Sequence, residues 1–126
     1  MAGTLVIDTL KSSASTPPVF KNTSDVEVGQ LCRAWVNFNG STSAIRASFN
    51  VSSITRNGAG DYTVNLTNAM PDANYSIGSL GCTASGYLLR GADDFTARTT
   101  TAFRLAAFSL AGTQQDSTIV NVSVFR

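Results

Sequence analysis

Hydrophobic and polar residues alternate along several stretches of the chain with a period of two, which is the pattern of half-buried β-strands. The stretches with this pattern are 33–39, 45–52, 61–67 and 118–126. In the last of them Val120, Val122 and Val124 are separated by Asn121 and Ser123. Each stretch is therefore predicted to be a strand with one apolar face and one polar face.

The stretch 31–75 is predicted to fold as a three-stranded meander. Its second and third strands, 45–52 and 61–67, are separated by Asn57-Gly58-Ala59-Gly60. Asparagine and glycine supply the positive φ values that a tight reversal requires, so these two strands are expected to form a hairpin. The turn-rich segment 40–43 links the first strand to the second.

Short strands separated by turn residues continue through the chain, and about eight to ten are expected in all. Such a series is typical of antiparallel sandwiches and barrels. Gly78 and Gly81 are expected to mark bulges, tight turns or a close approach of the backbone rather than one long strand, and 103–108 is expected to be a strand with some helical character. We therefore predict an all-β fold, a single antiparallel β-sandwich that is jelly-roll-like.

The N-terminal segment is predicted to be a short strand followed by a linker. Leu5, Ile7 and Leu10 are assigned to one face of that strand and Val6 to the other. The prolines of the linker, residues 11–18 (KSSASTPP), cannot donate ladder hydrogen bonds and favour an extended backbone.

The chain is accordingly divided into an extended arm, residues 1–18, and a knob domain, residues 19–126. A single strand leaves its backbone groups unpaired, so the arm must add to a sheet. Two interpretations are open: an ordinary edge strand of its own domain, or a strand that pairs with another protein.

Trp35, the only tryptophan, is expected on the outer face of the strand 33–39. Arg33 shares that face, because Ala34 and Val36 belong to the opposite, apolar one. An indole ring on an outer face is either covered by a partner or part of an exposed aromatic patch. We expect Trp35 and Arg33 to form a subunit interface; a platform for a ligand is the alternative.

Composition argues against several classes of partner. Charged residues make up 13% of the chain and the net charge is +1, whereas nucleic-acid binding calls for a basic stripe. No apolar run approaches the roughly 20 residues of a membrane span, and there is no basic start followed by an apolar core. We expect a soluble protein made in the cytosol, with neither nucleic acid nor membrane as partner.

Residues that carry chemistry are scarce. The chain has no histidine, which removes the commonest general base and metal ligand. Glu27 is the only glutamate, and the adjacent pair Asp93 and Asp94 would lie on opposite faces of an extended chain. We expect no enzyme activity, no catalytic or metal-binding residues and no cofactor.

The two cysteines, Cys32 and Cys82, are fifty residues apart and match no metal-ligand spacing. In a protein made in the cytosol such cysteines are typically free and buried. We expect no disulfide between them.

Four phrases of the central stretch resemble a known module in their order and spacing. They are AWVNFNG at 34–40, IRASFNVSSIT at 45–55, NGAGDYTVN at 57–65 and AMPDANY at 69–75. The stretch they span, 34–75, is about a third of the chain. It resembles a module at the C-terminal end of bacteriophage tail-fibre proteins, related forms of which occur on small head-decoration proteins. More weakly, GTLVIDTL at 3–10 resembles the N-terminal segment of many phage fibre and appendage proteins.

The resemblance implies a virion structural protein, usually a homotrimer, made in the host bacterial cytoplasm. Its partners would be further copies of itself and other virion proteins, either the major capsid protein or tail components. In that setting Leu5, Val6, Ile7 and Leu10 are expected to form an attachment arm that holds the protein on the particle, with the knob facing outward.

Three functions remain open. The small size of the chain, without a long shaft, favours a capsid decoration (cement) protein or a head fibre. A tail-fibre tip that binds a host receptor, such as a surface glycan, is the alternative. A carbohydrate-binding domain unrelated to phages comes third, and it requires exposed aromatic rings at Trp35, Tyr62, Tyr75 and Tyr87.

Overall fold

A computed structural model describes residues 3–13, 17–82, 98–109 and 111–126. The described residues form nine strands and no helix. The strands are β1 (Phe20–Lys21), β2 (Glu27–Gly29), β3 (Cys32–Phe38), β4 (Ile45–Phe49), β5 (Val51–Gly58), β6 (Asp61–Leu66), β7 (Ser76–Cys82), β8 (Ala102–Ala106) and β9 (Ile119–Phe125). The chain divides into two compact units, Met1–Leu31 and Cys32–Arg126. The all-β prediction is confirmed.

The larger unit contains two antiparallel sheets. One has four strands in the order β4-β3-β9-β7, and the other has three in the order β5-β6-β8. β9 lies inside its sheet and pairs with β3 on one side and β7 on the other. This arrangement is consistent with the predicted β-sandwich.

Alternate residues of both sheets face a single core. Its members are Ala34, Val36, Phe38, Val51, Tyr62, Val64, Leu66, Met70, Tyr75, Phe103, Leu105, Ala107, Val120, Val122 and Val124. The ring of Phe38, from the four-stranded sheet, meets the ring of Tyr62, from the other sheet, edge to face with centroids 5.3 Å apart. Such aromatic pairs add about 0.5–1.5 kcal/mol to the gain from burial. The alternation read from 61–67 and 118–126 therefore predicted the inward residues of β6 and β9 correctly.

Tyr62 and Tyr75 are buried, so neither can supply the exposed ring that an unrelated carbohydrate-binding domain requires. Each hydroxyl is satisfied inside the protein: that of Tyr75 donates to the carbonyl of Thr99 at 2.8 Å. Tyr87 lies outside the described residues. The set of aromatic rings required by an unrelated carbohydrate-binding domain is therefore reduced, within the described chain, to Trp35.

Asn50 separates β4 from β5, and this overturns the predicted meander. The two strands lie in different sheets, because Asn50 adopts a left-handed conformation with φ of 55°. Its side chain fixes the corner: Nδ2 donates to the carbonyls of Arg33 (3.0 Å) and Asn68 (3.2 Å). Its Oδ1 accepts from the backbone N–H of Asn68 at 2.7 Å. Asparagine tolerates this backbone region better than most residues.

The register between β3 and β4 shifts between Asn37 and Phe38. A bulge inserts one extra residue, so the residues beyond it change sides of the sheet. Ile45 consequently packs against the core. Phe49, which pairs directly with Trp35, lies on the opposite face and is exposed.

The hairpin expected around Asn57-Gly58-Ala59-Gly60 is confirmed as the β5–β6 connection. Gly58 pairs with Asp61, and within the turn only Gly60 has a positive φ, of 68°. A side chain at Gly60 would also collide with the backbone, since a Cβ there would lie 2.5 Å from the carbonyl oxygen of Ala107. Gly60 is therefore the glycine that the turn requires.

Asp116 ties this hairpin to the loop before β9. Arg56 donates Nη2 to its Oδ2 at 2.7 Å, and the N–H of Gly60 donates to its Oδ1 at 2.8 Å. The hydroxyl of Tyr62 donates to the same Oδ1 at 3.0 Å and accepts from the N–H of Ser117 at 3.2 Å. The Arg56 guanidinium holds the pKa of Asp116 below its usual value. Burial raises the pKa of Tyr62 to about 12.

Two further predictions about strands meet different outcomes. The segment 103–108 is largely a strand, as expected, because Phe103 and Leu105 face the core from β8. Gly78 and Gly81 do not interrupt β7, which pairs with β9 from Ser76 to Cys82 without a shift in register. The prediction of bulges or tight turns there was wrong; of the alternatives, only a close approach remains, since a Cβ at Gly78 would lie 3.1 Å from the Oγ of Ser123.

The cysteines lie at opposite ends of the four-stranded sheet. Cys32 pairs with Phe125 and Cys82 pairs with Ile119, six residues apart along β9. At about 3.3 Å per residue this separates the two positions by roughly 20 Å, far beyond the reach of a disulfide. Cys32 is a free thiol, and it donates to the carbonyl oxygen of Ala34.

The smaller unit contains the β1–β2 hairpin, in which Phe20 pairs with Gly29. Asn22 organises its turn, since Oδ1 accepts from the N–H groups of Ser24 and Val26, both at 3.0 Å. Residues 3–13 form no strand, so the strand predicted at the N-terminus is absent from the single chain. An isolated strand has no ladder partner, which is sufficient reason for its absence.

Candidate functional site

The candidate site lies on the outer face of the four-stranded sheet, the face turned away from the core. Directly paired residues share a face, which places four side chains in one row across the sheet. Phe49 pairs with Trp35, Trp35 with Ser123, and Ser123 with Gly78. The row therefore runs from two aromatic rings to two very small residues.

A depression of about 380 Å³ follows from this change in side-chain size. The residues that line it include Trp35, Asn37, Gly78, Ser79, Asn121 and Ser123, and we call it the Trp35 depression. Gly78 contributes no side chain, and a Cβ there would lie 3.1 Å from the Oγ of Ser123. The floor is thus close to bare backbone, with the indole ring as one wall.

Next to this row, a chain of amides is oriented by an arginine. Arg46 donates Nη1 to the Oδ1 of Asn37 at 3.2 Å and Nη2 to the carbonyl of Thr118 at 2.7 Å. Since a guanidinium only donates, Asn37 must present its oxygen to Arg46 and its Nδ2 to the Oδ1 of Asn121. The Nδ2 of Asn121 is then the end of the chain of hydrogen bonds.

Two polar groups that line the depression from the outer face of the sheet have no protein partner among the described residues. They are the Nδ2 of Asn121 and the Oγ of Ser123. Neither is buried, so both are open to solvent. The depression therefore combines an indole wall that is 41% exposed with donors available to a ligand.

The predicted site residues are found in two places. Trp35 lies on the outer face as expected, whereas Arg33 lies at an irregularity in the β3–β9 pairing between Cys32 and Ala34. The carbonyl of Arg33 accepts from Asn50, so its backbone belongs to the corner between the sheets.

The residues predicted to form an attachment arm belong to the smaller unit, Met1–Leu31. Leu5, Val6, Ile7 and Leu10 are all exposed, and Val6 is the most exposed at 86%. Four large apolar side chains in a segment without ladder partners are consistent with a role in binding.

Sequence reasoning missed Asn37, Gly78, Asn121 and Ser123. The alternation did place Asn121 and Ser123 on the polar face of the last strand. Their meeting with Trp35 and Gly78 depends on the order β3-β9-β7, which brings together segments from distant parts of the chain. The alternation within one strand does not predict which strands will be its neighbours in the sheet.

Other kinds of site are not apparent in the described part of the chain. No three acidic, cysteine or histidine side chains there are close enough to hold a metal ion. The same described residues contain no helix that is long and apolar enough to cross a membrane. Asp93 and Asp94 lie outside the described residues.

Comparison with known proteins gives no relative: no family model matches the chain, and neither a curated protein nor a solved structure matches it.

Proposed function

We propose that the chain is a structural protein of a bacteriophage particle, a homotrimer that decorates the capsid as a cement or head-fibre protein. The proposal includes a trimeric, jelly-roll-like form of the sandwich and an N-terminal arm that holds it on the particle. The resemblance of 34–75 to phage fibre and decoration modules supports it.

The observation that carries the proposal is the exposed apolar arm. The sandwich already encloses a core of both sheets, yet Leu5, Val6, Ile7 and Leu10 remain in contact with solvent. An extended apolar segment gains both hydrogen bonds and buried area when it adds to an open sheet edge of another protein. Three arms on one trimer would bind together, and their linkage raises avidity without new contacts.

Deletion of residues 1–18 tests this role. The truncated protein should keep the β-sheet circular dichroism of the full chain. It should no longer bind phage particles that were purified without this protein. Binding equal to that of the full chain would mean that the attachment surface lies outside residues 1–18.

A point substitution gives a sharper version of the experiment. Ile7→Asp places a charge within the apolar segment and should abolish particle binding. Thr4→Asp places the same charge at a polar position on the opposite face of the predicted strand and serves as the matched control.

A tail-fibre tip that binds a host receptor is the second candidate. The half-exposed Trp35 beside a depression is the observation in its favour, because exposed aromatic rings are common in binding sites. The prediction that Trp35 and Arg33 lie between subunits stays a prediction.

A further inference from the structure

We propose that the Trp35 depression binds one ring of a neutral saccharide, which stacks on the indole of Trp35 and accepts hydrogen bonds from Asn121. This inference does not rest on the proposed virion role, because its support comes only from the chemistry of the depression.

The polar part of the depression selects for oxygen-rich ligands. Arg46 fixes the orientation of Asn37, and Asn37 fixes that of Asn121, so the Nδ2 of Asn121 remains as a donor for a ligand in the depression. The Oγ of Ser123 can donate or accept. A ligand that fits must therefore offer an acceptor to Asn121 and, close to it, a group that can donate or accept a hydrogen bond with Ser123. A pair of neighbouring sugar hydroxyls meets both requirements.

The apolar part selects for a ring with a hydrophobic face. Trp35 presents its indole as a wall, while Gly78 and Ser123 leave the floor low enough for a ring to lie against that wall. A pyranose carries C–H groups on its faces and hydroxyls around its rim, which matches an indole beside an amide. A volume of about 380 Å³ is at the small end of ligand sites and suits one or two such rings.

A charged ligand fits less well. Among the described residues that line the depression, none carries a formal charge. The nearby guanidinium of Arg46 is directed to the oxygens of Asn37 and Thr118. A carboxylate or phosphate would therefore lose its hydration without gaining an ion pair.

A peptide strand or a second copy of the chain also fits less well. The floor of the depression is β9, whose backbone is paired with β3 on one side and β7 on the other, so no open edge is available for strand addition. A flat apolar contact would leave the Nδ2 of Asn121 without a partner, which costs about 1–3 kcal/mol.

The single tryptophan provides a direct measurement, because Trp35 is the only indole in the chain. The full chain would be titrated with neutral oligosaccharides of glucose, galactose, mannose, rhamnose and N-acetylglucosamine at concentrations up to the millimolar range, with Trp35 emission as the signal. We expect a saturable change in emission with at least one of them.

Three variants distinguish binding in the Trp35 depression from a non-specific effect of sugars on the emission of Trp35. Asn121→Ala removes the oriented donors and should weaken binding about tenfold. Gly78→Val fills the depression and should abolish binding. Ser76→Val adds the same side chain on β7, outside the depression, and should leave the affinity unchanged. Circular dichroism and thermal melting would show that each variant is folded.

Three outcomes overturn the proposal. The first is the absence of any emission change with the whole panel, and the second is a response that survives both Asn121→Ala and Gly78→Val. The third is a shift in Trp35 emission that depends on protein concentration alone, which would place the ring between subunits. Particle binding is measured separately, so its failure and that of sugar binding are distinguishable.

Discussion

At the scale of single residues, Asn50 determines where the chain passes from one sheet to the other. Its backbone has a positive φ, and its side chain makes hydrogen bonds to both Arg33 and Asn68. A left-handed conformation costs an ordinary L-residue about 1–2 kcal/mol, and loss of hydrogen bonds adds to that cost. The corner therefore depends on one side chain more than on the turn residues around it.

Substitution of Asn50 tests this account. Asn50→Ala should lower the free energy of unfolding by about 2–3 kcal/mol, because it loses the hydrogen bonds and strains the backbone. Asn50→Gly loses the same bonds without the strain, so it should be less destabilising by about 1 kcal/mol. Urea denaturation measures both. An Ala variant as stable as the natural protein would contradict the role of this residue.

Asp116 makes the stability of the chain depend on pH. The hydrogen bond from Arg56 is the main reason that the pKa of Asp116 lies below 3.8 in the folded protein. Its stabilising contribution is present above that value and is lost as the pH falls through the lower pKa of the folded state.

The free energy of unfolding should therefore fall as the pH is lowered from 5 to about 2. Asp61 and Asp72, whose pKa values are lowered by hydrogen bonds from Arg104 and Arg126, contribute to the same decrease. Asp116→Asn should make the decrease shallower while reducing stability at pH 7. Urea denaturation at a series of pH values measures the slope, and an unchanged slope in the variant would show that Asp116 has no part in it.

At the scale of elements, alternation predicts a strand well when one of its faces is continuous. The valines of β9 all face the core, and the strand was found from that pattern alone. The stretch 45–52 was wrongly predicted to be one strand with a single apolar face. Its apolar residues, Ile45, Ala47, Phe49 and Val51, do not share a face, because the chain changes faces twice within the stretch. A bulge turns Phe49 outward, and the corner at Asn50 brings Val51 back to the core.

The candidate site was less predictable than the fold for a related reason. Trp35 was identified as an outward-facing residue because the alternation along 33–39 indicates which residues of that strand face the core. Gly78 and Asn121 join it only through the register of three strands, and register depends on the whole sheet. The sequence predicts which residues face outward but not which of them meet.

At the scale of the whole molecule, the proposed trimer makes a direct prediction of mass. Light scattering at micromolar concentration should give three times the 13.2 kDa of one chain. Low charge and exposed apolar side chains favour such association. A mass of 13.2 kDa under these conditions would show that the chain is a monomer.

The proposal that the chain is a structural protein of a phage particle is tested most directly by quantitative mass spectrometry of purified phage particles. A capsid decoration protein is expected in hundreds of copies per particle, in multiples of three. A handful of copies would place it on the tail and favour the receptor-binding alternative. Absence of the chain from purified particles would contradict a structural role in the virion.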